Sequence, residues 1–178
     1  TFRPVQAETI DQHPMHMEHF SVSRRSLDQL LNPDHRILAV GTTSMRTLES
    51  LYWLGVKLEK EPDWENIQLE QWEHLEMRDD LPVRSALENI RHYLERHRLD
   101  AFQAGTRIMI APGYSFKLVR GLITNFHQPK STLLMLIAAF VGDDWKRIYE
   151  YALENDFRFL SYGDSSLLLP DEKVVSSE

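Results

Sequence analysis

Leu122–Gly142, LITNFHQPKSTLLMLIAAFVG, decides the reading of the whole chain. Leu122-Ile123 is the end of an apolar strand, and Thr124, Asn125, Phe126 and His127 form a polar exit from it. Pro129 disfavours helix at the residue before it and suits the turn into a helix that follows. Ser131 and Thr132 are candidate caps for a helix whose body, Leu133 to Val141, is almost wholly apolar. The pattern is strand, reactive loop, buried helix. The amino end of that helix offers unpaired N–H groups and partial positive charge beside Lys130, a natural seat for an anion. The plainer reading is a core helix with an ordinary polar loop.

A second junction of the same kind lies upstream. Arg36–Val40, RILAV, reads as a buried strand; Gly41-Thr42-Thr43-Ser44 turns from it into a helix over Met45–Leu54, with Gly55 as its cap. Three hydroxyls and the planar fork of Arg46 suit a carboxylate or a phosphate. The competing reading is a simple hydroxyl cap with a surface arginine. Around these two junctions the pattern predicts a strand near His16–Phe20, with His16 and Glu18 on one face, and a helix over Arg24–Leu31 capped by Ser23. It further predicts a helix from Pro82 to about Arg98, a strand over Thr106–Ile110 and a helix over Trp145–Leu153 that turns Ile148, Tyr151, Ala152 and Leu153 to the core. Ser165–Leu169 is the last strand. Strands alternating with helices indicate an α/β domain, layered α/β/α, with a mixed or mostly parallel sheet and ligands beyond the carboxyl ends of the strands.

A chain of 178 residues is one domain's worth, residues 1–178, with a real core. The net charge is −7, and all of it sits between Glu59 and Asp80, where nine acids face two bases. Residues 57–82 therefore read as an acidic excursion, and the balanced remainder leaves room for a phosphate-binding face. There is no cysteine, which fits a cytoplasmic protein and rules out thiol chemistry. The apolar run after Ser131 is far shorter than the ~20 residues of a membrane span.

Four stretches, TFRPV (Thr1–Val5), VGTTSMRTLES (Val40–Ser50), TNFHQPKSTLLMLIAAFVG (Thr124–Gly142) and FRFLSYGDSSLL (Phe157–Leu168), with HPMHMEHF (His13–Phe20) more loosely, resemble the S-adenosylmethionine:tRNA ribosyltransferase-isomerase family of queuosine biosynthesis. The resemblance covers roughly the later half of a full-length member, whose N-terminal portion and inserted β-barrel domain lie outside it. One departure is Gln128, where the family usually has leucine, which leaves a diverged paralogue open. The resemblance implies a transferase and isomerase with tRNA as partner and S-adenosylmethionine as substrate, not cofactor. The ribosyl portion moves onto 7-aminomethyl-7-deazaguanine in tRNA, giving epoxyqueuosine and releasing adenine and methionine. No metal or other cofactor is demanded.

On that basis the candidate catalytic residues are His127, Asn125, His16 and Glu18. The candidate substrate-binding residues are Arg3, Thr42, Thr43, Ser44, Arg46, Lys130, Ser131, Tyr162 and Asp164. A rival reading is a metal-dependent hydrolase using His13, His16, Glu18 and His127, residue types that suit zinc at a spacing that matches no known motif. Another is a non-catalytic tRNA-binding or assembly module. The segment by itself is expected to fold without detectable ribosyl transfer.

Overall fold

A computed structural model describes residues 14–170. The chain forms β1 (Glu18–Ser23), α1 (Arg24–Leu30), β2 (Ile37–Val40), α2 (Thr42–Lys60), β3 (Gln68–Leu69), a 3₁₀ turn at Glu73–Glu76, α3 (Val83–Arg96) and β4 (Ala101–Thr106). Then come β5 (Val119–Asn125), α4 (Thr132–Val141), α5 (Asp144–Glu154), a 3₁₀ turn at Leu160–Tyr162 and β6 (Ser165–Leu168). The class is mixed α/β, and the strands divide between two three-stranded sheets, in the orders β1-β4-β3 and β2-β5-β6. Two compact units result: Leu38–Met45 with residues 109–170, and Met15–Ile37 with Arg46–Ile108.

In the unit of Met15–Ile37 and Arg46–Ile108, β1 runs antiparallel to β4, Glu18 opposite Thr106, while β3 joins β4 in parallel. Leu87, Ile90 and Leu94 of α3 are buried along with Leu51, Tyr52 and Leu54 of α2. α2 corrects the expected boundary: it does not stop at Gly55 but continues to Lys60. Gly55 is not a cap here; a Cβ at that position would lie 2.1 Å from the Ala86 carbonyl oxygen of α3. The glycine is needed for close approach, not for chain reversal.

The acidic stretch is more built in than its charge suggests. Ile67, Leu69 and His74 are buried, and Lys57 bridges Glu73 while lying 3.9 Å from the centre of the Trp64 ring. The strand expected at Thr106–Ile110 lies earlier, at Ala101–Thr106, and Ile108, Met109 and Ile110 are buried without joining a sheet. Apolar character at these residues marks core filling, which does not require strand pairing.

In the other unit, Ser131 caps α4 by accepting from the Leu134 N–H, and the helix buries Leu136, Ile137 and Phe140, as expected. α5 corrects the expected core face. Only Ala152 is fully buried, and Leu153 is 68% exposed. Trp145, Ile148 and Tyr149 are the half-buried members of the Ala152 stripe, because i, i+3, i+4, i+7 is the helical repeat. β2 is also less buried than RILAV implies: Leu38 is 47% and Val40 67% exposed, so the strand has one buried face and one open face.

Burial also sets the acid response of the fold. His127 and His74 are each pushed down to about 4 by desolvation of the charged ring. Both enter the folded state neutral, whereas the unfolded chain protonates them near pH ~6.5. Stability is expected to be fully present above that pH and to fall as the pH drops from about 6.5 towards about 4. Denaturant titrations at pH 7 and pH 5 check this; equal midpoints would contradict it.

Candidate functional site

The end of β5 gathers the site. The Gly41 N–H donates to the Ile123 carbonyl at 2.8 Å, setting the carboxyl end of β2 beside that of β5. On the other side Asn125 pairs with Ser165, the first residue of antiparallel β6. Gly41 takes φ 86°, the left-handed region, and its carbonyl accepts the Met45 N–H to begin α2. Thr42 is buried in the first turn and Thr43 and Ser44 are exposed. Thr42, Thr43 and Ser44 thus follow the end of β2 at the same end of the sheet where Asn125 ends β5 and Asp164 precedes β6.

Asn125 donates its amide to the Asp164 carbonyl at 2.9 Å and approaches the Ser165 hydroxyl at 3.4 Å. The Asp164 carboxylate takes three bonds from Arg158: backbone N–H, Nε and Nη2. The Arg158 side-chain bonds and then its backbone N–H hold the Asp164 carboxyl below the usual carboxylate range. Asp164 is therefore engaged in shaping its own loop. Below this loop Phe126 sits between Tyr149, Phe157 and Phe159, with ring centres 5.6, 5.5 and 5.4 Å away. The Phe126 carbonyl also accepts the Leu160 N–H. That aromatic seat locks the TNFHQP loop onto the FRFLSYGD loop.

His127 is buried. Its Nε2 lies 3.0 Å from the Thr124 hydroxyl, and its backbone N–H donates to the Tyr149 hydroxyl at 3.0 Å. Its Nδ1 is buried without a hydrogen-bond partner among the described residues. A neutral imidazole bonded at one nitrogen and unbonded at the other keeps its remaining donor or acceptor capacity at Nδ1. Burial raises the Tyr149 phenol, so it stays protonated. Tyr149, Thr124 and Arg158 were not singled out from sequence. Thr124 and Arg158 stand inside motif blocks; nothing local marks Tyr149.

Lys130 is exposed with φ 55°, and Ser131 is occupied as the α4 cap. Tyr162 is exposed, and Arg3 lies outside the described residues. In the other unit Arg46 is buried and donates to Glu18 at 3.2 Å. Arg46 Nε and Nη2, and Glu18 Oε2, are buried without hydrogen-bond partners among the described residues. Desolvation lowers the Arg46 guanidinium and Glu18 opposes it. His16 precedes β1 and is exposed. Arg46→Ala strands the Glu18 carboxylate, and the expected loss is about 1–3 kcal/mol of folding stability, read by urea denaturation. No loss would mean that solvent already satisfies Glu18. Among the described residues no three His, Asp or Glu side chains group as metal ligands; His13 lies outside them.

The sequence matches the family described as "Queuosine biosynthesis protein" over residues 1–168. It is 36% identical over 173 residues to an S-adenosylmethionine:tRNA ribosyltransferase-isomerase of Halothermothrix orenii, covering 95% of this chain and 39% of that one. A relative of the same description from Herminiimonas arsenicoxydans is 37% identical over 172 residues, covering 94% and 38%. The crystal structure of the S-adenosylmethionine tRNA ribosyltransferase from Thermotoga maritima superposes with a TM-score of 0.56 and 30% identity, over 85% of this chain and 40% of that one. The chain spans about two fifths of the length of the relatives it matches. With the family match running through both motif loops of the sheet end, the chain belongs to the queuosine biosynthesis protein family.

Proposed function

We propose that the chain is the portion of an S-adenosylmethionine:tRNA ribosyltransferase-isomerase that carries a proton-handling histidine and an anion seat, acting on tRNA in the cytoplasm. One observation carries this reading. The Asn125–Asp164 bond joins the two motif loops, and beside it His127 is held neutral with a free Nδ1. Transfer of the ribosyl portion of S-adenosylmethionine requires a proton to leave the sugar carbon next to the sulfonium and adenine to be stabilised as it departs. His127 supplies a group that moves a proton, and the Asn125 carboxamide a neutral hydrogen-bonding partner. The first turn of α2, with Thr42, Thr43 and Ser44, seats a carboxylate or phosphate.

The test is adenine release from S-adenosylmethionine with tRNA bearing the 7-aminomethyl-7-deazaguanine base. It is run on this chain alone and on a hybrid in which it replaces the matching residues of the Halothermothrix orenii enzyme. The hybrid is expected to turn over and the chain alone is not. A folded hybrid that releases no adenine would overturn the assignment.

A further inference from the structure

The proposed reaction makes no use of HPMHMEHF (His13–Phe20), which holds two methionines and three histidines in eight residues. Glu18 turns to Arg46, and His16 is exposed ahead of β1. Met17 and His19 flank Glu18 in sequence and go to the opposite face, beside Gly105 of β4, which pairs with His19 in register. A Cβ on Gly105 would lie 2.6 Å from the Met17 sulfur and 3.4 Å from His19 Nδ1. The glycine therefore gives the room in which a thioether and an imidazole lie against one point, and a larger residue there would push the sulfur away. Met15 continues the i, i+2, i+4 series of Met15, Met17 and His19, and its backbone N–H is held by Gln71 Oε1 at 3.0 Å.

Among the described residues the exposed His19 ring makes no hydrogen bond within the protein, so its nitrogens remain for a ligand. Imidazole suits many metals, and the thioether beside it narrows the choice. A neutral, polarisable sulfur binds Cu(I) or Ag(I), whereas Zn(II) takes thiolate, imidazole or carboxylate and Mg(II) and Ca(II) take oxygen. The carboxylate within the run, Glu18, is held by Arg46 on the other face, so it does not complete a harder site here. Bonds from sulfur and imidazole nitrogen to such ions are about 2.0–2.3 Å long. The unbranched Met17 side chain can close to that distance by rotation alone, without moving β1. A soft monovalent ion is stable with two or three ligands, so Met17 and His19 hold it and Met15 completes the set.

We propose that Met17 and His19, with Met15 as third donor, form a binding site for a soft monovalent cation of the Cu(I) class, seated beside Gly105. The test is titration of the chain, labelled with ¹³C at its methionine methyl groups, with Ag(I) as the redox-inert ion of that class and separately with Zn(II). Ag(I) is expected to shift the Met17 and Met15 methyl signals and the His19 ring signals, saturating at one equivalent. Met45, Met77, Met109 and Met135 should not respond before that point. Zn(II) is expected to leave the Met17 methyl unmoved. Met17→Leu keeps the volume and loses the sulfur, and should weaken Ag(I) binding at least about 10-fold, a loss that outer partners of a metal alone can cause. Gly105→Ala removes no donor but displaces the sulfur, and should weaken binding while far-ultraviolet circular dichroism shows an intact fold. A uniform response of all six methionines, Zn(II) binding as tightly as Ag(I), or parental affinity in Met17→Leu overturns the site. A Met15 methyl that does not shift removes Met15 from the set of donors.

Discussion

His127→Ala should lower the rate of adenine release by the hybrid by about 100-fold or more, the ordinary worth of a positioned acid or base. The residue sits at the convergence of the two motif loops, with the Thr124 hydroxyl on Nε2 and no hydrogen-bond partner for Nδ1 among the described residues. Two conservative replacements separate chemistry from scaffolding. A glutamine can reach the Nε2 position and keep the Thr124 bond, but it has no ionisable atom to offer. An asparagine places an amide near Nδ1 and is likewise without acid–base capacity. If His127 acts by moving a proton, both fall with alanine while KM for S-adenosylmethionine changes little. If it only braces the loop, glutamine should retain most of the rate. The pH profile gives a second reading. With the ring pushed down to about 4, a function that needs it unprotonated should show a flat rate above about pH 5. Wild-type rate in His127→Gln would move the proton transfer elsewhere.

The sheet end was legible in the sequence because its signals are local. A glycine before three hydroxyls, a proline after a polar exit, and a serine before an apolar run each act within a few residues. The structure accordingly places Gly41 at positive φ and Ser131 as the α4 cap. Long-range partners were not legible. Arg46 reads as a ligand-gripping arginine from its neighbours, yet its partner Glu18 lies 28 residues away. Tyr149 reaches the His127 N–H across 22 residues from a helix whose apolar pattern points equally to Tyr151. The division into two sheets was hidden for the same reason, since strand order is settled by packing that no local window contains. Charge misled in one place. The acidic run from Glu59 to Asp80 looks solvated, but its apolar members Ile67 and Leu69 reach the interior and Leu69 extends a sheet.

Gly55 is where a reading of local signals fails most instructively, and its replacement should have the largest effect on stability. A glycine inside a 19-residue helix ordinarily costs about 1 kcal/mol against alanine, so Gly55→Ala would be expected to stabilise α2. The geometry reverses that sign. The new Cβ would lie 2.1 Å from the Ala86 oxygen, 2.6 Å from its carbonyl carbon and 2.9 Å from its Cα. All three are backbone atoms of α3, so no side-chain rotation relieves the overlap. The helices must part by more than 1 Å, roughly the shortfall from ordinary contact. Parting them loosens Leu87 and Ile90, which are fully buried, and strains the bond from the Asn89 amide to the Gly55 carbonyl. Overpacking of this kind costs about 3 kcal/mol or more, which outweighs the propensity gain. The midpoint of thermal unfolding should fall by about 5 °C or more for a chain of this size. Ala86→Gly in the same chain removes a Cβ but not the obstructing carbonyl, so it should not rescue Gly55→Ala. A midpoint at or above that of the parent chain would show that α2 and α3 can separate freely and that Gly55 is not there for close approach.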